Sequence, residues 1–251
     1  MTTTGAALAG KVAVVCGGSG GIGAATARLL AEAGATVVVG FNRSAAKAQE
    51  LAAALPGDGH LALPAPMEDS QALRRLAGET RERLGRTDIL VNSAGTTRPV
   101  PHHDLDGLDD GLIDEIFRVN WRGPFAAIRA FRSLLKGSGA GLVVNISSIA
   151  ATTGIGSSIA YCGAKAGLDV MSVALARALA PEIRVVAVAP GVVDTEFVPG
   201  RSAEFNAKVA ASTPLRRLTT PEDVARVVRA LATDLTFTTG SILQVDGGRH
   251  L

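Results

Sequence analysis

Seven short, almost wholly apolar runs alternate with Ala-rich amphipathic stretches along this chain, and that rhythm leaves it few folds to choose from. The runs KVAVVC, ATVVVG, HLALP, DILVN, GLVVNIS, IRVVAVAP and SILQV are too short for typical helices. They are also too uniformly apolar for strands with one wet face, so they read as strands covered on both sides. The stretches between them have the caps of helices. GIGAATARLLAEAG closes on Gly34, a plausible C-terminal cap, and SAAKAQELAAAL opens on Ser44, a good N-cap residue. TPEDVARVVRALATD places Thr220 at the N-cap and Pro221 at the first helical position. Strand, helix and strand repeated in this way predict an α/β fold: a Rossmann-type doubly wound parallel sheet of about seven strands with helices on both faces. With no linker, low-complexity segment or longer repeat, residues 1–251 are expected to form a single domain.

Ligands of such sheets bind outside the carboxyl ends of the strands, so the residues after each strand are where chemistry is sought. After the first strand comes GGSGGIG, Gly17 to Gly23, running straight into a helix. Small residues let backbone approach a pyrophosphate, and the helix N-terminus adds N–H donors; the competing reading is a tight strand-to-helix turn. There is no Lys-Ser/Thr ending of the ATP-hydrolysing kind. NSAG, Asn92 to Gly95, follows the fourth strand and suits a flat ring lying on the loop; PGVVDT, Pro190 to Thr195, follows the sixth. The chain's one tyrosine, Tyr161, stands four positions before Lys165, which puts phenol and ammonium on one helix face if the segment is helical.

The totals exclude several classes. A net charge of +2, with 19% charged residues and no long Lys/Arg run, gives no nucleic-acid footprint. Two cysteines do not make a disulfide framework, and a reducing, cytoplasmic setting is expected. The N-terminus does not read as a signal peptide, and no uninterrupted apolar run nears the roughly 18 residues of a membrane span.

Together, CGGSGGIG from Cys16, NSAG, the Tyr161/Lys165 pair, Ser148 thirteen residues before the tyrosine, Asn120 in RVNWRGPF and the ending VDGG form a specific signature. From Gly10 to Gly248 the chain resembles the short-chain dehydrogenase/reductase family. The resemblance implies a dinucleotide-binding oxidoreductase domain with a short N-terminal extension at 1–9 and a substrate lid over about 195–217 that includes Phe197, Pro199, Arg201 and Phe205. It implies a tetrad of Asn120, Ser148, Tyr161 and Lys165, and a homotetramer packed through the helices of Asn120 and Tyr161. It also implies a cofactor site of Gly17, Ser19, Gly21, Ile22, Gly23, Asn42, Arg43, Ser44, Met67, Asn92, Ala94, Gly95, Tyr161, Lys165, Pro190, Gly191, Val193 and Thr195. A free tyrosine has a pKa of about 10, and a nearby ammonium favours its phenolate, which brings acid–base work toward neutral pH. Hydride passes directly between nicotinamide and carbon, so no metal is needed, and His60, His102, His103 and His250 show no metal-ligand spacing.

NADP(H) is favoured over NAD(H), which stays open. Phe41 occupies the position of the acidic residue that would bind a ribose 2′-hydroxyl, and Asn42, Arg43 and Ser44 follow it. Cys16, Ser93 and Pro66 depart from the family's Thr, Asn and Asp, which bears on cofactor affinity rather than on the tetrad. Pro124 cannot return an N–H to the carbonyl of Asn120, so a helix running through it should bend and free that carbonyl for a water leading to Lys165; a plain kink or a helix restarting at Pro124 are the alternatives. The expected partner is a small carbonyl or alcohol, with no nucleic acid and no membrane. A 3-oxoacyl substrate, a sugar or polyol, and a non-catalytic NADP-binding sensor are the readings left open.

Overall fold

The computed structural model describes residues 7–195, 197–198 and 202–251. Seven strands form one parallel sheet: β1 (Val12–Cys16), β2 (Thr36–Phe41), β3 (Leu61–Pro64), β4 (Ile89–Asn92), β5 (Gly141–Ile146), β6 (Ile183–Pro190) and β7 (Ile242–Val245). Their spatial order is β3-β2-β1-β4-β5-β6-β7, so the chain reverses direction of travel between β1 and β4. That reversal opens a crevice at the carboxyl edge between them. The register, for example Val14 opposite Val38 and Leu90, keeps all five β1 residues buried.

Alternation along the strands divides the interior into two layers. Ala13, Val15, Val37 and Val39 pack against helices α1 (Gly21–Glu32), α2 (Ala45–Ala54) and α9 (Pro221–Thr233). Val14, Cys16 and Val38 face the other way, onto α3 (Ser70–Leu84), α5 (Gly123–Gly137) and α7 (Ile159–Leu179). The shorter helices α4 (Asp110–Phe117), α6 (Ala150–Thr153) and α8 (Ala203–Ser212) lie in the connections that surround the crevice.

The cap readings fare unequally. Thr220 accepts from the Asp223 N–H while Asp223 answers the Thr220 N–H, a full capping box with Pro221 at the helix start. Ala33 is the C-cap of α1, and Gly34 follows at φ +98, the left-handed conformation that glycine adopts without steric cost. Ser44 does occupy the N-cap position of α2, but its hydroxyl makes no capping bond. Of the expected N-terminal extension, residues 1–6 lie outside the described residues, and Leu8 is buried in the first layer with its N–H on the Ala33 carbonyl.

By length and composition alone, the most apolar 18-residue window of α7 is long and apolar enough to cross a membrane, although Lys165, Asp169 and Arg177 interrupt the helix. More than half of that window is buried inside the protein, and the helix packs against β6 as a core element.

Pro124 is accommodated by neither a break nor a simple kink. The chain stays helical from α4 into α5 through a π turn at Arg118–Arg122, closed by the Gly123 N–H on the Arg118 carbonyl five residues back. The wider turn absorbs the missing donor, and Asn120 sits at its centre, completely buried.

Candidate active site

The carboxyl edge holds a trench with two ends that share Ile22, Ser93, Gly95, Thr195 and Phe197. One end, of about 1020 Å³, lies over the Gly-rich turn and the loops after β2 and β3; the other, of about 1140 Å³, lies over the loops after β5 and β6.

The first end is built by backbone crowding. Gly17 has φ +77, and a Cβ there would stand 2.6 Å from the Ala94 N–H nitrogen. A Cβ on Gly23 would stand 2.0 Å from the Gly17 carbonyl oxygen. The turn is therefore folded tightly on itself and against the loop after β4, which a side chain at either position would prevent. The α1 N-terminus then opens on the trench with Gly20 as N-cap, no side-chain cap and no acidic residue in its first turn. Uncapped N–H groups and a positive dipole end fit the pyrophosphate of a dinucleotide.

Gly17, Ser19, Gly21, Ile22, Asn42, Arg43, Ser44, Met67, Ala94, Gly95 and Thr195 all line this end. Pro190, Gly191, Val193, Tyr161 and Lys165 line the other. Two expected cofactor residues do not line the trench. Gly23 lies beneath the turn, where it makes room for the Gly17 carbonyl. Asn92 is buried and points across the sheet, its Nδ2 donating to Asn145 Oδ1 at 2.8 Å. Asn145 Nδ2 donates in turn to Ser172 Oγ at 2.9 Å, and Ser172 to the Leu168 carbonyl at 2.7 Å. Asn92 thus ties the loop after β4 to the helix that bears Tyr161.

The fold also brings in groups that strand-end reasoning missed. Lys47, in the first turn of α2, joins Arg43, and Glu68 from beyond β3 accepts from Asn42 Nδ2 at 3.1 Å. The helical period of α2 was the signal for Lys47, three residues after Ser44. Glu68 gave none, because only the pairing of β2 with β3 carries it there.

At the other end, Ser158 caps α7 by accepting the Tyr161 N–H at 3.2 Å and thereby fixes where the tyrosine leaves the helix. Tyr161 is 9% exposed, with its ring 6.0 Å from that of Phe197 and 5.7 Å from Lys165 Nζ. Lys165 is buried and donates to the Ile146 carbonyl at 2.7 Å. Burial pulls its pKa from 10.5 down to about 8, opposed by Asp169 one turn along. Burial likewise raises Asp169, against a Ser147 hydrogen bond and the Lys165 charge. Ser148, two residues past β5, lines the same chamber and accepts the Ala150 N–H at 3.2 Å, which leaves its hydroxyl proton to donate.

Asn120 stands apart from the other three. Its Nδ2 donates to the carbonyls of Thr96 and Ile116 at 2.8 and 2.9 Å, and its Oδ1 accepts the Thr96 N–H at 3.4 Å. The side chain is spent on bracing the loop after β4. Of the expected lid residues, Phe197 and Phe205 line the chamber, while Pro199 and Arg201 lie outside the described residues.

Both cysteines are free. Burial pushes the Cys16 thiol up to about 12, and it raises half-buried Cys162 as well. Iodoacetamide at pH 8 is expected to label Cys162 slowly and Cys16 only after denaturation; peptide mapping that finds Cys16 labelled in the folded protein would contradict its burial. Among the described residues no group of His, Cys, Asp and Glu is arranged to hold a metal ion.

A phenol, a hydroxyl and a buried ammonium in one chamber, reached from a dinucleotide cradle at the switch point of a doubly wound sheet, define a class of nicotinamide-dependent oxidoreductases. The profile of the family described as enoyl-(acyl carrier protein) reductase matches residues 17–250. A putative ketoacyl reductase 2 of the granaticin polyketide synthase from Streptomyces violaceoruber is 41% identical over 96% of both chains. A cis-4-hydroxycyclohexanecarboxylate dehydrogenase from Sinomonas cyclohexanicum is 39% identical over 97% of this chain and 98% of its own. A short-chain dehydrogenase from Burkholderia cenocepacia J2315, crystallised with NADP, superposes with a TM-score of 0.88 at 32% identity, over 97% of this chain and 99% of that one. The protein belongs to the short-chain dehydrogenase/reductase family, oxidoreductases of carbonyl and alcohol groups.

Proposed function

We propose that the protein is an NADP(H)-dependent reductase of an apolar ketone, of 3-oxoacyl or alicyclic type, acting as a single domain with a lid over 195–217. The observation that carries this reading is the meeting of Tyr161, Ser148 and Lys165 in one chamber continuous with the glycine cradle. Val100, Pro101, Ile149, Ile155 and Val192 wall that chamber. These walls favour an apolar ketone over a sugar or polyol, whose hydroxyls would lose water against them. A polyketide ketoacyl reductase and an alicyclic alcohol dehydrogenase among the relatives agree with both ketone types.

A bound nicotinamide would supply the hydride. Ser148 would donate to the ketone oxygen, and Tyr161 would give that oxygen its proton. Lys165 would hold a positive charge beside the resulting phenolate and is placed to hold the nicotinamide ribose. Proton resupply runs to Lys165 through a water on the Asn120 carbonyl, in keeping with the π turn that Pro124 imposes. The direct test is loss of NADPH absorbance with acetoacetyl thioesters, cyclic ketones and keto-sugars. NADPH binding without turnover of any of them would instead favour a sensor.

Arg43 and Lys47 supply cations at the adenosine end, and Ser44 keeps its hydroxyl out of the cap, all suited to a 2′-phosphate. Glu68 opposes them, but it is engaged by Asn42. The wild type is expected to prefer NADP(H) by roughly tenfold or more in kcat/KM, and Arg43→Ala to lose most of that preference. An unchanged preference in Arg43→Ala, or a wild type that favours NAD(H), would remove this reading of the loop.

The homotetramer and a cytoplasmic, reducing setting are part of the same proposal. Phe117, Trp121 and Phe125 on the helix of Asn120, and Val170 on α7, are exposed by 36–71%. Trp121 stacks on Phe125 at 6.2 Å, and such an apolar face suits a symmetry mate. A monomeric mass in solution would refute it.

A further inference from the structure

Charge in the substrate chamber is strongly one-sided. Among the described residues that line it, no aspartate or glutamate appears, and the full cations are Lys165 and Arg249. Lys165 is engaged at the Ile146 carbonyl and beside Tyr161. Among the described residues no acid engages Arg249. Its hydrogen bonds leave from one nitrogen, Nη1, to Ser212 Oγ at 2.9 Å and the Val209 carbonyl at 3.4 Å. Among the described residues Nη2 and Nε have no hydrogen-bond partner, so part of a planar donor fork is left over on a residue that lines the chamber with Val100, Ile149, Ile155 and Phe205.

The fork is also held in place. Asp246, buried, accepts the N–H groups of Gly248 and His250 at 3.0 and 2.8 Å and the His250 Nδ1 at 2.7 Å. The Arg249 N–H closes on the Asp246 carbonyl at 3.3 Å. Arg249 is therefore mounted on a fixed turn, and Ser212 at the end of α8 steadies its guanidinium.

We propose that the ketone substrate, apolar around its carbonyl, carries an anionic group away from it, and that Arg249 binds that group while Tyr161 and Ser148 hold the carbonyl. The proposal rests on the reductase reading above. A guanidinium with donors to spare and no acid beside it among the described residues selects a carboxylate or phosphate, each of which accepts two parallel N–H bonds, over a neutral chain of the same size. The anion has two sources: the carboxylate of a free keto acid, or the phosphate of a carrier-linked pantetheine arm.

Two probe pairs separate them: 4-oxocyclohexanecarboxylate against its methyl ester, and acetoacetyl-4′-phosphopantetheine against acetoacetyl-pantetheine. The wild type should favour the charged member of one pair by about 10- to 100-fold in kcat/KM, mainly through KM. The pair that discriminates identifies the source. Arg249→Met should collapse that ratio toward one, and Arg249→Lys should keep part of it. Equal kcat/KM within both pairs, or an Arg249→Met variant that lowers both members by the same factor, would overturn the proposal. Should no probe oxidise NADPH, the reductase reading fails for these ketones. Calorimetric binding of 4-oxocyclohexanecarboxylate to wild type and Arg249→Met then decides the anion site separately, and equal binding would overturn it.

Discussion

Replacing Tyr161 by phenylalanine is expected to lower kcat by about 10²–10⁴-fold, the usual range for losing a positioned general acid. The ring stays, so its contacts with Phe197 and the Lys165 ammonium stay with it. Ser158 still caps α7 through the backbone N–H of residue 161, so the helix start is unaffected. NADPH affinity, read by fluorescence quenching, should change by less than about threefold, because the cradle of Gly17 and the α1 N-terminus lies at the other end of the trench. The measurement that matters is single-turnover NADPH oxidation with a reactive ketone. A Tyr161→Phe enzyme that retains most of the wild-type rate would sink the acid–base assignment, whatever its affinity for cofactor.

Lys165→Met should separate function from stability. Activity is expected to fall by a comparable factor, about 10² or more, because the positive charge beside the phenolate is gone. Stability should not fall with it. With a pKa of about 8 in the folded chain against 10.5 in its ordinary state, the buried ammonium costs the fold about 3 kcal/mol at neutral pH. Methionine fills the same space without that cost, although it leaves the Ile146 carbonyl without its 2.7 Å bond, a loss of about 1 kcal/mol. The thermal midpoint of Lys165→Met should therefore equal or exceed that of the wild type. The pH dependence has a definite sign. Below pH 8 both folded and unfolded wild type hold the proton, and the cost is fully present. Between pH 8 and 10.5 the folded chain releases its proton first, so wild-type stability should gain on the variant as pH rises. A variant that melts well below wild type at pH 7, or a stability difference flat across that window, would show that the ammonium is not the burden its burial implies.

The sequence by itself determined the sheet, because strand and helix are written in local periods. Continuous apolar runs such as KVAVVC read as strands, and all seven lie in one parallel sheet, although the edge strands β3 and β7 are only partly buried rather than covered on both faces. It also determined that the Gly17–Gly23 turn stands at the carboxyl edge, since strand ends are local, whereas Ser148 and the tyrosine and lysine one helical turn apart were placed in a site by the family resemblance. What a side chain at that edge faces was decided only in three dimensions. Asn92 is the last residue of β4, and its side chain turns across the sheet to Asn145, 53 residues away. Asn120 turns to Thr96 from the centre of a π turn that the proline suggested but did not specify. Glu68 reaches the adenosine end because β3 pairs with β2, and Arg249 reaches the chamber because a buried Asp246 folds the last residues back under α8. A hydrophobic period records which face of an element is buried, whereas the partner of a polar group depends on elements brought together from dozens of residues apart, by packing that no local pattern encodes.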